Sequence, residues 1–401
     1  MRNTLRVVGL VVLILLLLLV AAFFIVRFYL APNLDQWRPE LQAWLHKEIH
    51  PGLHVDKFEI SWHGMEPELV LLGTKILNQE NQAEGSVEQI NVQMNWMQSF
   101  SGRIQVQDLR LDQAQLIIYR DQQGYVRLAD EAILYNPYQA KLEHNLPTSR
   151  ELQEREAKFK AQLQQVFDYL PANVHLSRSQ IVWRDEQRQS PELVLDEVQF
   201  DLTQGLSGLQ LNASILPPEN LAGPIQVQAD LSRLGKGRAK IKLNHFYPQV
   251  LRHWLDLPVL ISQGYMQEAR LSIGYQQGSV ADFDWQSKWL DFVIHEDQGE
   301  QALDIRADVL DVNIASNNGV SLPYEYSVAA SNLGVISDEV FRHPLTFFGV
   351  QAKGRYTETA ELQPRIEIDL LRARLPSGSL QAQGAWQVDS NSDNGLLDVD
   401  A

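Results

Sequence analysis

With 401 residues, 45% of them hydrophobic and 21% charged, the chain has the apolar content for two or three domains or one extended repetitive body, not for a disordered polymer. Its 34 basic residues against 50 acidic ones leave a net charge of −16, which argues against nucleic acid as a partner. The absence of cysteine excludes disulfides and cysteine-based metal or redox sites without fixing a compartment.

The compartment is read from the N-terminus. Val7 to Val26, VVGLVVLILLLLLVAAFFIV, is a run of twenty residues without a charge. At about 1.5 Å per residue it covers about 30 Å, the thickness of a bilayer hydrocarbon core. Arg2 and Arg6 precede it, whereas Arg27 alone follows closely, before Asp35 and Glu40. That bias places the N-terminus in the cytoplasm and residues 28–401 beyond the membrane. A cleaved signal peptide, cut near Val20-Ala21-Ala22, is the alternative. The run exceeds the about 7–15 residues usual for such a segment, so residues 1–30 are expected to be a cytoplasmic stub and a retained single-pass inner-membrane anchor, with the bulk of the chain periplasmic.

Over residues 31–52, NLDQWRPELQAWLHKEIHPG puts Leu34, Trp37, Leu41, Trp44, Leu45 and Ile49 on one face of a helix that Pro51 and Gly52 end. Two compatible readings follow: the helix lies at the membrane interface with Trp37 and Trp44 at headgroup depth, or it caps the open end of the first sheet. His46, His50 and His54 do not read as a metal site, because the intervening glutamate is misplaced for a zinc protease and the Pro-Gly break disrupts the geometry.

From Leu53 the hydrophobic period is twofold. Strands are predicted near LHVDKFEIS, ELVLLGTKIL, QINVQMNW, RIQVQDLRL, AQLIIYR and GYVRL, a first β-segment over residues 53–129. Residues 130–172 interrupt it with an amphipathic helix that begins at a capping box, Thr148 with Glu151. Leu152, Phe159, Leu163, Phe167 and Leu170 form its stripe and Pro171 closes it. Strands resume over 173–401: VHLSRSQIVWRD, ELVLDEVQFDL, GLQLNASIL, PIQVQADL, RAKIKLNHF, EARLSIGY, SVADFDWQ, QALDIRADVLDVNI, YEYSVAAS, FFGVQAKGRY, RIEIDLLRARL and SLQAQGAWQV. Only YPQVLRHWLDL reads as a short helix among them.

Stacked sandwiches would show longer crossings and distinct linkers, and an outer-membrane barrel would not follow a retained inner-membrane anchor. The expected fold is therefore mainly β: a long, curved, mostly antiparallel sheet forming an open apolar groove, with an amphipathic helical insert. About sixteen strands at about 4.8 Å each make a trough of about 75 Å. Ile225, Val227, Ala229, Leu231, Ile241, Leu243, Leu271 and Ile273 are its candidate lining. So large a dry face calls for an apolar occupant.

Four stretches carry a family resemblance. SWHGMEPELVLLGTKIL has a W-x-G-x-x-P-x-L pattern at Trp62, Gly64, Pro67 and Leu69; INVQMNW runs from Ile90 to Trp96; LIIYRDQQGYVRL has an R-D-x-x-G element with Asp121 and Gly124; and ASILPPENLAGPIQVQADL runs from Ala213 to Leu231. In this order, behind an anchor and a tryptophan-bearing helix, the chain resembles the YhdP-like proteins of the AsmA-like superfamily. The resemblance implies a bridge-like lipid-transfer groove that carries phospholipid from the inner membrane toward the outer membrane, with no cofactor. Outer-membrane or periplasmic proteins are further expected partners. Members are far longer, and this chain stops in a polar DSNSDNGLLDVDA, so an N-terminal portion of a longer protein is expected.

Enzyme signatures are missing from the sequence. There is no G-x-S-x-G, no phosphate-binding glycine loop and no paired acidic cluster on one face. Asp389, Asn391 and Asp393 lack the glycine position and the bidentate glutamate of a calcium loop. Asp121 with Gly124 reads as a hairpin turn. The alternative to lipid transfer is an envelope assembly factor that binds membrane-protein clients by strand addition at a sheet edge.

Overall fold

The structure, a computed structural model, describes residues 24, 26–48, 50–63, 66–78, 80, 82–94, 106–122, 124–128, 131–134, 159–161, 163–164, 166–168, 170–254, 261–276, 279–298, 301–319, 322–337, 343–358, 363–388 and 395–400. Among them no helix is long and apolar enough to cross a membrane. The expected span from Val7 to Val26 lies outside the described residues apart from Phe24 and Val26. So do Gly64, Thr148, Glu151, Leu152 and the acidic stretch from Asp389 to Asn394. The described chain is mainly β and divides into two compact units. The first comprises Met1–Tyr119, Tyr125–Tyr135 and Pro171–Val182, and the second Arg120–Gly124, Asn136–Leu170 and Trp183–Ala401.

In the first unit, β1 (Leu53–His63), β2 (Glu66–Leu77), β3 (Ala83–Met94) and β4 (Val106–Arg120) pair antiparallel in chain order. A short hairpin follows, β5 (Val126–Leu128) with β6 (Glu131–Leu134). Strand β7 (Asn173–Asp185) then returns beside β4. The Ala114 N–H donates to Ser179 Oγ at 3.0 Å and the Gln115 amide to Gln180 at 2.8 Å, contacts a constant 65 residues apart. A constant offset is the register of a parallel pair, which needs a long crossover; the segment between β6 and β7 supplies it.

Helical turns Val26–Leu30 and Ala31–Trp37 lead into helix α1 (Arg38–Glu48). Of the expected six-residue face, Ile49 lies outside the described residues and the other five split. Leu45 is buried with Val55, Phe58 and Leu71, and Leu34 and Leu41 pack on the same core, whereas Trp37 and Trp44 are 54% and 55% exposed. Successive residues turn by about 100°, so Trp44 stands a quarter-turn from Leu45, and the tighter turn before α1 shifts Trp37 away from the leucine stripe.

The second unit holds β8 (Leu193–Gln204), β9 (Gly208–Leu216), β10 (Ile225–Ser232), β11 (Lys236–Phe246), β12 (Ile261–Gln276), β13 (Ser279–Gln298), β14 (Gln301–Ser316), β15 (Tyr324–Ser337), β16 (Leu345–Glu358), β17 (Pro364–Leu375), β18 (Gly378–Val388) and β19 (Gly395–Asp400). Each pairs antiparallel with the next. No pairing returns β19 to β8 among the described residues, so the ladder is open. Pro248–His253 forms the short helical turn expected there, and residues within 159–168 are helical.

Many strands carry a bend that strict alternation does not foresee. In the first unit the pairing skips Asp56, Gly73, Glu88 and Gln113, with Gly73 and Gln113 at φ 64° and 53°. In the second, His245, Asp291 and Asn332 adopt φ of 48°, 52° and 51°. Asn, Asp and His are the non-glycine residues that tolerate this region best. At each bend one residue on each of two paired strands drops out of the ladder while the register is kept, so apolar positions flanking it lie three apart: Val55 and Phe58, Trp289 and Phe292, Ala330 and Leu333. The same bend explains why β13 continues to Gln298, well past the stretch SVADFDWQ that alternates strictly.

Candidate functional site

One row of side chains crosses eleven strands of the second unit. Reading partner to partner from β8 to β18, it runs Phe200, Ala213, Val227, Ile241, Leu271, Trp285, Ile314, Tyr326, Gly354, Ile368 and Gly384. No charged side chain interrupts it. The row one residue along reads Asp201, Asn212, Gln228, Lys240, Ser272, Asp284, Ala315, Glu325, Arg355, Glu367 and Ala385. A pleated sheet sends adjacent residues to opposite faces, so the two rows are its dry and wet sides.

The structure brings the eight expected lining residues together on the dry side. Ile225, Val227, Ala229 and Leu231 lie between Ile215, Ala213, Leu211 and Leu209 on β9 and, from Val227 on, Ile241, Ala239 and Gly237 on β11. Ile241, Leu243 and Ile273 continue it, Leu271 sitting opposite Ile241. All eight are half-buried, while Gln226, Gln228 and Asp230 are exposed.

The depth of burial distinguishes this face from an ordinary core. On β14 to β18 the fully buried apolar residues are alanines, Ala307, Ala330, Ala373 and Ala382, and the larger apolar side chains of the row stay partly exposed. Large residues become buried at Val198 on β8, at Leu163 and Phe167 of the helical stretch, and in a cluster on β11 to β14. There Met266, Trp289 and Phe292 pack with Leu243, Phe246, Trp285, Leu310 and neighbours, all from those same four strands. In that cluster the packing partners among the described residues come from the sheet itself, which leaves apolar surface for something else to cover.

Recesses of about 530 Å³ and 290 Å³ lie on the wet side, among Asn313, Glu325, Lys353, Arg355 and Asp369 and among Glu268, Arg270 and Lys288. Arg355 reaches Glu367 at 3.3 Å and Arg238 reaches Asp282 at 2.8 Å. These are gaps between long paired charges, not apolar sites.

Of the residues carrying the family pattern, Trp62, Pro67 and Leu69 belong to the first unit, and Asp121 and Gly124 form a turn. Trp62 pairs with Pro67 where β1 turns into β2, Arg27 lies over the Trp62 ring at 5.2 Å, and Leu69 packs on the core of Leu45 and Phe58. Asp121 is buried; its carbonyl accepts the Gly124 N–H at 2.9 Å, with Gly124 at φ 86°, a turn as expected. His46 meets Gln42 at 2.6 Å and His50 Nδ1 accepts the Gly52 N–H at 3.0 Å, so each imidazole has a local partner.

Sequence reasoning did not single out Gln42. Its side-chain oxygen accepts the Val55 N–H at 3.0 Å and its nitrogen donates to the Leu53 carbonyl, so one amide occupies the free edge of β1 as a neighbouring strand would. Arg38 adds a bond to the Val55 carbonyl at 3.3 Å. A polar residue on the helix face toward β1 was the available signal.

No curated protein matches the chain. The family model described as YhdP protein matches residues 1–357, and the chain belongs to that family.

Proposed function

We propose that this chain is an inner-membrane-anchored envelope protein that carries phospholipid acyl chains along the dry face of its β-ladder toward the outer membrane. The observation that carries the reading is the uninterrupted row from Phe200 to Gly384, whose large side chains remain partly exposed. Each acyl methylene that leaves water for such a face gains about 0.8 kcal/mol. The row repeats the same chemistry from strand to strand, so affinity varies little along it, which favours sliding over tight residence. Trp37 and Trp44, exposed beside the leucines that fix α1 to β1, suit the headgroup layer of the membrane that holds the anchor. The reading requires no catalytic group and no cofactor. Client binding by strand addition has less support at the start of β1, where Gln42 bonds the Val55 N–H and the Leu53 carbonyl.

A photo-crosslinking residue at Val227 is expected to capture phospholipid in cells, detected by mass spectrometry, and one at Gln228 is not. Capture at Gln228 without capture at Val227 would overturn the reading.

A further inference from the structure

Leu206 and Leu234 are 99% and 78% exposed, the two most exposed large hydrophobic side chains among the described residues. They sit at the tips of the β8–β9 and β10–β11 hairpins, which close at the same end of the ladder because β9 and β10 pair antiparallel between them. A third exposed aliphatic belongs with them. Val166, 44% exposed, lies on the helix within 159–168, next to Phe167. Phe167 is buried; its carbonyl accepts the Gln204 amide at 2.8 Å, and the Arg233 guanidinium covers its ring at 4.7 Å. Phe159 packs edge-on against Tyr275 at 5.6 Å, which fixes the other end of the same helical stretch. The helix is thus fixed to the strands that carry the two tips, and Val166, Leu206 and Leu234 are all exposed there.

Leucines at hairpin tips contribute nothing to the fold, and exposing them to water costs free energy that burial elsewhere would recover. Their surroundings indicate what covers them. Arg233 precedes Leu234 and Lys236 follows two residues later, both exposed, in a chain of net charge −16; Asp168 is the acidic neighbour on the helix. An apolar tip flanked by cations, with a second, uncharged apolar tip at the same end, matches a lipid surface, where the leucines enter the acyl boundary and the cations meet phosphates. We propose that the β8–β9 and β10–β11 tips, with the Val166 side of the helix, dock on an anionic phospholipid bilayer and so place the rim of the dry face against lipid. This deepens the lipid-carrying reading, yet it tests separately, since crosslinking at Val227 reports the face and not the tips.

The apolar segment at residues 7–26 would hold the full chain on vesicles whatever the tips do, so binding alone is uninformative. Depth probes are informative, and the lack of cysteine makes single labelling clean. Full-length Leu206→Cys, Leu234→Cys and the control Asn220→Cys, an exposed turn between β9 and β10 at the opposite end of the ladder, would each carry an environment-sensitive fluorophore in phosphatidylglycerol-containing vesicles. At 206 and 234 a blue shift and loss of emission to tail-brominated lipid are expected, with neither at 220. Emission at both tips matching the control would overturn the proposal. A blue shift equally present in detergent, without lipid quenching, would overturn it in favour of contact with another protein chain. Charge reversal by Arg233→Glu with Lys236→Glu is expected to reduce the quenching at 234; unchanged quenching would remove the anionic headgroup from the proposal.

Discussion

Tyr326 lies across Gly354: from β15 its phenol reaches over β16 and donates to the Glu367 carbonyl on β17 at 3.0 Å. A Cβ at position 354 would fall on that carbonyl and 2.7 Å from the phenolic oxygen, so the missing side chain is what admits the ring. Burial raises the Tyr326 phenol above its ordinary value, and the carboxylate of Asp369 pushes the same way, so it stays a protonated donor well above neutral pH. A glycine covered by a neighbouring aromatic is a recognised means of holding a sheet together where a residue is absent from the row.

Tyr326→Phe should keep the ring over Gly354 and lose one hydrogen bond, a destabilisation of about 1 kcal/mol in the second unit's urea transition. Gly354→Ala should cost more, about 1–3 kcal/mol, because the backbone must move. Equal effects of the two would mean that Gly354 is not held by close approach.

Asp291 carries a left-handed backbone in the middle of β13. Asp291→Gly should be neutral or stabilising by up to about 1 kcal/mol, and Asp291→Val should destabilise by about 1–2 kcal/mol. Chemical denaturation of the full chain, followed by the fluorescence of Trp285 and Trp289, reads both; a stabilising valine would show that the bend is not intrinsic to the strand.

Removing the Gln42 amide should open the β1 edge. Gln42→Ala leaves the Val55 N–H and the Leu53 carbonyl without that partner, at about 1–3 kcal/mol for each group left unpaired and buried. A bare strand edge also pairs with other chains. Sedimentation of the detergent-solubilised chain should reveal concentration-dependent self-association in the variant only.

Asp112 and Arg178 form an ion pair between β4 and β7, with Ser177 Oγ donating to the same carboxylate at 2.8 Å. The hydrogen bond from Arg178 chiefly holds the Asp112 carboxyl below its ordinary value, against a partial desolvation that opposes it. Its contribution is present once pH exceeds the unfolded aspartate's value, and is lost as pH falls from there through the lower folded value. Arg178→Gln should therefore lower the stability of the first unit at neutral pH and flatten its acid dependence in that window. An unchanged acid profile would show that the pair adds nothing in solution.

The alternation of Ile225 to Leu231 was legible because a period of two needs no knowledge of neighbours. The half-strands beyond each bend were not: Trp289 and Phe292 are three apart, a spacing that reads as helix or noise until the left-handed bend at Asp291 between them is known. Likewise, nothing in the sequence says that Val227 stands beside Ile241 and not one residue along, since register depends on turn geometry and bulges.

By itself the sequence determined the class of the chain: an apolar segment of bilayer length, a β-rich body with one dry side, and the patterns at Trp62 to Leu69 and Asp121 to Gly124 that mark the family. These are local, fixed by hydrophobic period and turn chemistry within a few residues. The tertiary structure alone decided which residues form one continuous row, that β4 and β7 run parallel, that Gln42 bonds the edge of β1 at Leu53 and Val55, and that the large side chains of the dry face remain partly uncovered. Each of these depends on pairing between segments tens of residues apart, where the choice among registers rests on the summed packing of whole strands and not on any one residue.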